Sequence, residues 1–203
     1  TQATETTNTS TGKAVNWSYE LDSNNNILNL KCTNISSISG ELTIPSTIDG
    51  HNVVTIGREA FENCSGLTGI TIPDIVTSIG YRAFYNCAGL KSLTLPNSVT
   101  NIQSYAFTYC SGIKNVTFSE NLASCGEFAV WGCSGFKTIV IPNSVTTIGN
   151  GAFEDCAGIT SLTLSSSLTK ISDGTFRGCS GITSVTIPES VTTIGDSDLY
   201  GYG

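Results

Sequence analysis

The chain is 203 residues long, and its 9 Lys+Arg against 16 Asp+Glu leave a formal net charge of −7. So small a basic content excludes a nucleic-acid or anionic-membrane footprint, and a single His excludes a multi-histidine metal site. No apolar run reaches the roughly 20 residues of a membrane helix, so no membrane insertion is expected.

Residues 1–12 are Thr-rich and aperiodic, and are expected to be a flexible leader. The chain has no Met, which points to a removed N-terminal segment, read as a signal peptide. Residues 13–40 are expected to form an N-terminal cap. Val15, Trp17, Tyr19 and Leu21 alternate with polar residues, as do Leu28, Leu30 and Cys32. With a turn at 22–26 between them, they read as a β-hairpin covering the open edge of the first coil. Asp22-x-Asn24-x-Asn26 also opens like a calcium loop. Ile27 and Thr33 stand where that loop needs Gly and Glu, so a turn is the reading. A short insertion then carries the turn-forming pair Asp49-Gly50 and the solitary His51, with no nucleophile beside it in sequence.

From residue 41 to 203 a period organises the chain. Cys64, Cys87, Cys110, Cys133, Cys156 and Cys179 are each 23 residues apart. Ile56, Ile79, Ile102, Cys125, Ile148, Ile171 and Ile194 recur in step, as do Gly66, Gly89, Gly112, Gly135, Gly158 and Gly181. A fixed period of this length marks a solenoid. Each unit opens with an alternation such as Leu90 to Leu95, which reads as a half-buried strand ended by Pro96. A short extended stretch comes next, at 99–102. Ala106-Phe107-x-x-Cys110 is then spaced as one helical turn. Stacked at about 4.8 Å, successive strands turn every recurring apolar residue into an inward ladder. The expected architecture is about seven coils of 23 residues. It is mainly β with short helical turns, and carries a parallel sheet on one face. The cysteines read as a buried thiol ladder rather than disulfides or metal ligands. The last coil is incomplete, with Asp198-Leu199 where Ala-Phe belongs. Its open edge, partly covered by Tyr200 and Tyr202, is expected to be a site for self-association.

The L-x-x-L-x-L strand followed by I-P-x-S-V-T-x-I-G-x-x-A-F-x-x-C resembles the BspA-like leucine-rich repeats of bacterial and some protozoan surface proteins. The resemblance covers about residues 41–197. Departures are local: Ser119 and Ser165 replace Pro, Gln103 and Ser172 replace Gly, and Cys125 replaces Ile. The resemblance implies a secreted or cell-surface protein of adhesion or protein recognition. It carries over no catalytic residue, and no cofactor or metal is expected.

Two surfaces are candidates for binding. Lys91, Lys114 and Lys137 occupy one strand position in three consecutive units. Beside them run Ser92, Asn115 and Thr138, then Thr94 and Thr117. This outward face suits an acidic peptide or glycan. The second surface is aromatic: Tyr81, Tyr85, Tyr105, Tyr109, Phe128 and Trp131 fall around A-F-x-x-C in three adjacent units. The expectation is a non-enzymatic module binding a protein or glycan of a host or neighbouring cell through the exposed sheet face. The alternative is a structural spacer or stalk within a larger surface protein.

Overall fold

Thr favours strands, and the N-terminal segment uses that propensity. In the computed structural model, which describes residues 1–7 and 11–196, β1 (Gln2–Thr7) pairs antiparallel with β2 (Ala14–Leu21). The flexible leader expected for residues 1–12 is corrected to that extent. The physical reason is that β1 satisfies the outer backbone edge of β2. On its other side β2 pairs antiparallel with β3 (Ile27–Cys32). Asp22 Oδ1 between them accepts the Asn24 and Asn26 N–H groups at 2.8 and 2.9 Å. Those donors hold its carboxyl below the usual range. Asp22 thus closes a turn.

Beyond the hairpin each coil contributes two strands. The first row holds β4 (Gly40–Thr43), β8 (Leu67–Thr71), β10 (Ser92–Thr94), β12 (Asn115–Thr117), β14 (Thr138–Val140) and β16 (Ser161–Thr163). The insertion after β4 is a small antiparallel pair, β5 (Thr47–Ile48) and β6 (His51–Asn52). The second row holds β7 (Thr55–Ile56), β9 (Ser78–Ile79), β11 (Asn101–Ile102), β13 (Ser124–Cys125) and β15 (Thr147–Ile148). It ends with the pair β17 (Lys170–Ile171) and β18 (Thr193–Ile194). The longest sheet runs along this second row, in the order β1-β2-β3-β7-β9-β11-β13-β15. The cap is therefore continuous with the solenoid. The parallel sheet expected on one face is joined by a second one on the return path.

The A-F-x-x-C segments, expected as helical turns, are not helical. Among the described residues helix is confined to one 3-10 turn, Ile35–Ser37. Instead the Phe61, Phe84 and Phe107 N–H groups each donate to the following coil's Ala carbonyl at 2.7 Å. Two residues per coil adopt left-handed backbone, such as Tyr105 and Tyr109, both at φ 60°. Alternate amides bond to the next coil, while those between them close turns within the segment, such as the Cys87 N–H to the Phe84 carbonyl at 3.2 Å.

Inside, Phe61, Phe84 and Phe107 stack at 5.1 Å between ring centroids. Trp17 of the cap meets the first ring edge-on at 6.0 Å. Val130 interrupts the stack. Phe118 and Phe136, larger than the Leu or Ile of other coils, are buried nearby, and Phe118 reaches Phe153 edge-on. Volume lost at one position is thus restored at others. All eight cysteines are free and buried. The thiols of Cys87, Cys110, Cys133, Cys156 and Cys179 donate to backbone carbonyls of the preceding coil at 3.0 to 3.2 Å. Burial pushes the Cys64 thiol up to about 11 and the Cys110 and Cys179 thiols to about 12. Cys32 lies beside Cys64 and begins the ladder from the cap. In the last described coil Ile187 and Ile194 are 39% and 46% exposed, whereas Ile141 and Ile148, their equivalents, are buried. Asp198, Leu199, Tyr200 and Tyr202, invoked for the C-terminal edge, lie outside the described residues.

Candidate functional site

On the first-row face, alternation sends Leu93 and Leu95 inward and Ser92 and Thr94 outward. Parallel register then aligns Ser92 with Asn115 and Thr94 with Thr117. Thr138 is exposed, as are Lys91, Lys114 and Lys137, each directly before a strand of this row. The Lys91 N–H donates to the Thr68 carbonyl and the Lys114 N–H to the Lys91 carbonyl, so adjacent coils hold Lys91 and Lys114 in step. Among the described residues, no carboxylate lies within 4.0 Å of these three ammonium groups. The residues expected on the polar face are all exposed.

The structure also divides that face, which the periodicity did not indicate. The first-row strands form three separate pairs, β4-β8, β10-β12 and β14-β16. Lys91 and Lys114 therefore flank one pair, and Lys137 begins the next. Between β12 and β14 lies a slot of about 370 Å³. Val140, where other units carry Thr, is 56% exposed there.

The six aromatic residues of the second surface form one connected group. Tyr81 meets Tyr105 at 5.7 Å, Tyr105 stacks on Phe128 at 5.2 Å, and Phe128 meets Trp131 at 5.5 Å. Trp131 then meets Tyr109 at 4.9 Å, and Tyr109 meets Tyr85 at 5.7 Å. Arg58 and Arg82 sit over Tyr81 and Tyr85 at 4.6 and 4.0 Å from the ring centroids. Trp131 Nε1 donates to Asp155 at 3.1 Å. Tyr105, Tyr109 and Phe128 occupy left-handed positions that Gly132, Gly151, Gly174 and Gly178 fill elsewhere. Each bulky residue there costs on the order of 1–2 kcal/mol. The glycines make room: a Cβ at Gly132 would lie 2.5 Å from the Tyr109 ring, and one at Gly151 2.3 Å from the Phe128 ring. The rings thus pack between coils while presenting their edges outward.

His51 belongs to neither surface. Its Nδ1 lies 2.9 Å from the Asn25 carbonyl. Next to it the Tyr19 hydroxyl donates to Asp49 Oδ2 at 2.6 Å, and Thr4 donates to Asp49 Oδ1 at 3.3 Å. This network straps the insertion to the cap. The bond to Asp49 pushes the Tyr19 hydroxyl up to about 12. Among the described residues no three His, Cys, Asp or Glu side chains converge as metal ligands. No helix of theirs is long and apolar enough to cross a membrane.

The model of the BspA-type leucine-rich repeat region matches residues 31–158 and 121–202, in six copies. The chain belongs to the BspA-type leucine-rich repeat family. Among solved structures, it is similar to a leucine-rich repeat protein of T. pallidum at 31% identity. That match covers 88% of this chain and 83% of the other, with a TM-score of 0.82. A leucine-rich repeat protein of Bacteroides ovatus is 30% identical, over 90% of this chain and 48% of the other, with a TM-score of 0.78. A leucine-rich cell surface protein of Faecalibacterium prausnitzii is 26% identical, over 81% and 52%, with a TM-score of 0.50. No curated protein matches the chain. Family membership accounts for the ladders of Ile, Phe, Cys and Gly, all consumed by the fold. The lysine stripe, the divided strand face and the aromatic group lie outside those ladders.

Proposed function

We propose that this BspA-type repeat chain is a non-enzymatic binding module of the cell surface. Its first-row strand face takes an acidic segment of a protein or glycan. One observation carries the reading: three lysines at one repeat position, exposed and, among the described residues, without carboxylate partners, on a chain of net charge −7. Each ammonium is desolvated less than a buried ion, and a polyanionic ligand would relieve their mutual repulsion. The surface location draws on the F. prausnitzii relative, described as a cell surface protein. Replacing Lys91, Lys114 and Lys137 together by Glu is expected to abolish capture of immobilised polyglutamate and of any ligand found on a matrix-protein and glycan panel. Wild-type capture should fade as salt rises. Unchanged capture by the triple variant would move the site to the aromatic group.

A spacer role is the second reading. It is favoured by the chain's matching only 48% and 52% of the length of two relatives, so such coils also occur as part of longer chains.

A further inference from the structure

The eight-stranded sheet has β1 at one end, and among the described residues no strand pairs with its outer side. In an antiparallel ladder alternate residues turn their N–H and C=O groups away from the bonded neighbour. β1, six residues long, therefore presents a row of unpaired backbone groups. Edge strands are commonly shielded by Lys, Pro, a bulge or a covering element. β1 has no Lys, Pro or Gly, and its register with β2 is unbroken over all six residues. The insertion strands β5 and β6 pair only with each other, and the insertion reaches β1 through the Thr4 side chain. Unpaired edges also occur in the first row, but those lie within the stack, where β8 faces β10 and β12 faces β14.

We infer that β1 is a dimerisation edge whose occupant is β1 of a second copy, antiparallel across a two-fold axis, so that two eight-stranded sheets join into one. A two-fold interface must be complementary to itself, and the sequence of β1 meets that condition in one register. Gln2, Thr4 and Thr6 lie on the face of Tyr19, Trp17 and Val15, their partners in β2, and Ala3, Glu5 and Thr7 lie on the other face. The axis preserves these faces, so each residue meets one of its own set. With Thr4 on the axis, Gln2 meets Thr6, Thr4 meets Thr4, and Ala3 meets Glu5 of the second copy. Threonine pairs are favourable across strands, and the one charge of β1 faces a methyl group. An axis at Glu5 would set two carboxylates opposite each other, which is destabilising. Axes nearer either end pair fewer residues. The Asp49 carboxylate beside Thr4 is already engaged by Thr4 and Tyr19. Both strands are ordered before they meet, so little ordering entropy opposes the contact. It is only one strand wide, short of a permanent interface, and each copy carries a charge of −7. The expected dimer is therefore weak and is strengthened by salt, which screens the repulsion between copies. The inference is independent of the lysine face, which a dimer would present twice.

Sedimentation velocity of the chain at increasing concentration tests it. The wild type is expected to pass reversibly from monomer to dimer, and more readily at higher salt. Ala3→Glu sets a carboxylate against Glu5 of the second copy. At matched salt it should weaken the dimer about two- to thirtyfold, because two-fold symmetry counts the contact twice. Adding Glu5→Lys to that variant should restore association, and Ala3→Lys alone should tighten it by a similar factor. Ala3 and Glu5 are exposed, so the melting temperature of the dilute monomer should not move. A chain that stays monomeric up to roughly 1 mM would overturn the inference. A dimer indifferent to Ala3→Glu would overturn it too, since another surface would then hold the copies together. Failure of Glu5→Lys to rescue Ala3→Glu would refute the register.

Discussion

The spacing between coils is set by glycine, and Gly158→Ala tests this. A Cβ on Gly158 would lie 2.1 Å from the Ser134 carbonyl oxygen and 2.7 Å from that of Phe136. Carbon and oxygen normally approach to about 3.3 Å, so the coil would have to withdraw by about 1 Å. Both obstacles are backbone, so no side chain can swing aside. The nearby bond from the Thr160 N–H to the Lys137 carbonyl, 2.9 Å long, would stretch with the withdrawal. Overpacking of this kind costs about 1–3 kcal/mol, and a weakened hydrogen bond about 1 kcal/mol. Alanine returns roughly 0.4–1 kcal/mol by restricting the unfolded chain. The net expectation is a loss of about 1–3.5 kcal/mol. For a chain of this size that lowers the melting temperature by roughly 2–14 °C. Urea titration and calorimetry of the single variant would measure it. Gly50→Ala is the control: nothing lies within 4 Å of its Cβ, but its φ is +82°, so only the left-handed penalty of about 1 kcal/mol applies. A Gly158→Ala variant no less stable than Gly50→Ala would refute contact between coils as the source of the spacing.

Two further outcomes concern titration. The thiols are raised by burial from an ordinary value near 9, Cys64 to about 11 and Cys110 to about 12. Their neutral form is the one the fold holds. Their contribution to stability is thus complete below about pH 9 and is lost as pH climbs towards 12. A native protein whose thiols react rapidly with a disulfide reagent at pH 8 would contradict the buried ladder. The Tyr19 hydroxyl, raised from 10 to about 12 by Asp49, should ionise near pH 12 in the native protein and near 10 after unfolding, as read by ultraviolet absorbance. Its contribution is present below pH 10 and vanishes between 10 and 12. Tyr19→Phe should remove that late ionisation and cost about 1 kcal/mol.

Residues that recur are the ones whose fate was legible in the sequence. Ile79, Phe84, Cys87 and Gly89 repeat because every coil asks the same thing of them, and each packs against its own copy in the next coil. Three things were hidden. Pairing of β1 with β2 is a tertiary choice that a Thr-rich segment does not announce, since the same composition suits a disordered tether. Left-handed backbone at Tyr105, Tyr109 and Phe128 contradicts their intrinsic preference, and only the glycines at equivalent positions in later units hinted at it. The slot beside β12 leaves no mark in the repeat, because it is a gap between strands rather than a property of either. Val140 in a rank of threonines was the one visible sign. Cys125, by contrast, reads as an isolated replacement of Ile and behaves as one. The structure buries it in β13 on the Ile ladder, where a thiol serves as a small apolar group.

The lysine stripe is the feature that folding alone does not require. Like charges facing one another across adjacent strands are destabilising, and other coils carry neutral Thr68, Thr160 and Thr183 at the same position. Lysine on a strand has a known protective use, to discourage pairing at a free sheet edge. That use belongs at an end of the stack. Lys91, Lys114 and Lys137 instead sit beside β10, β12 and β14, with β8 before them and β16 after. Protection of the outer end of the stack therefore does not explain their position. In the proposed reading a ligand neutralises them, and would convert a repulsive ladder into an attractive one only when bound. Repulsion in the free state also fixes the sign of a stability effect: Lys114→Thr, at the centre of the stripe, should leave the unliganded fold equally or more stable while weakening polyglutamate capture. A variant that loses stability and keeps capture would reverse the assignment and make the stripe a structural element.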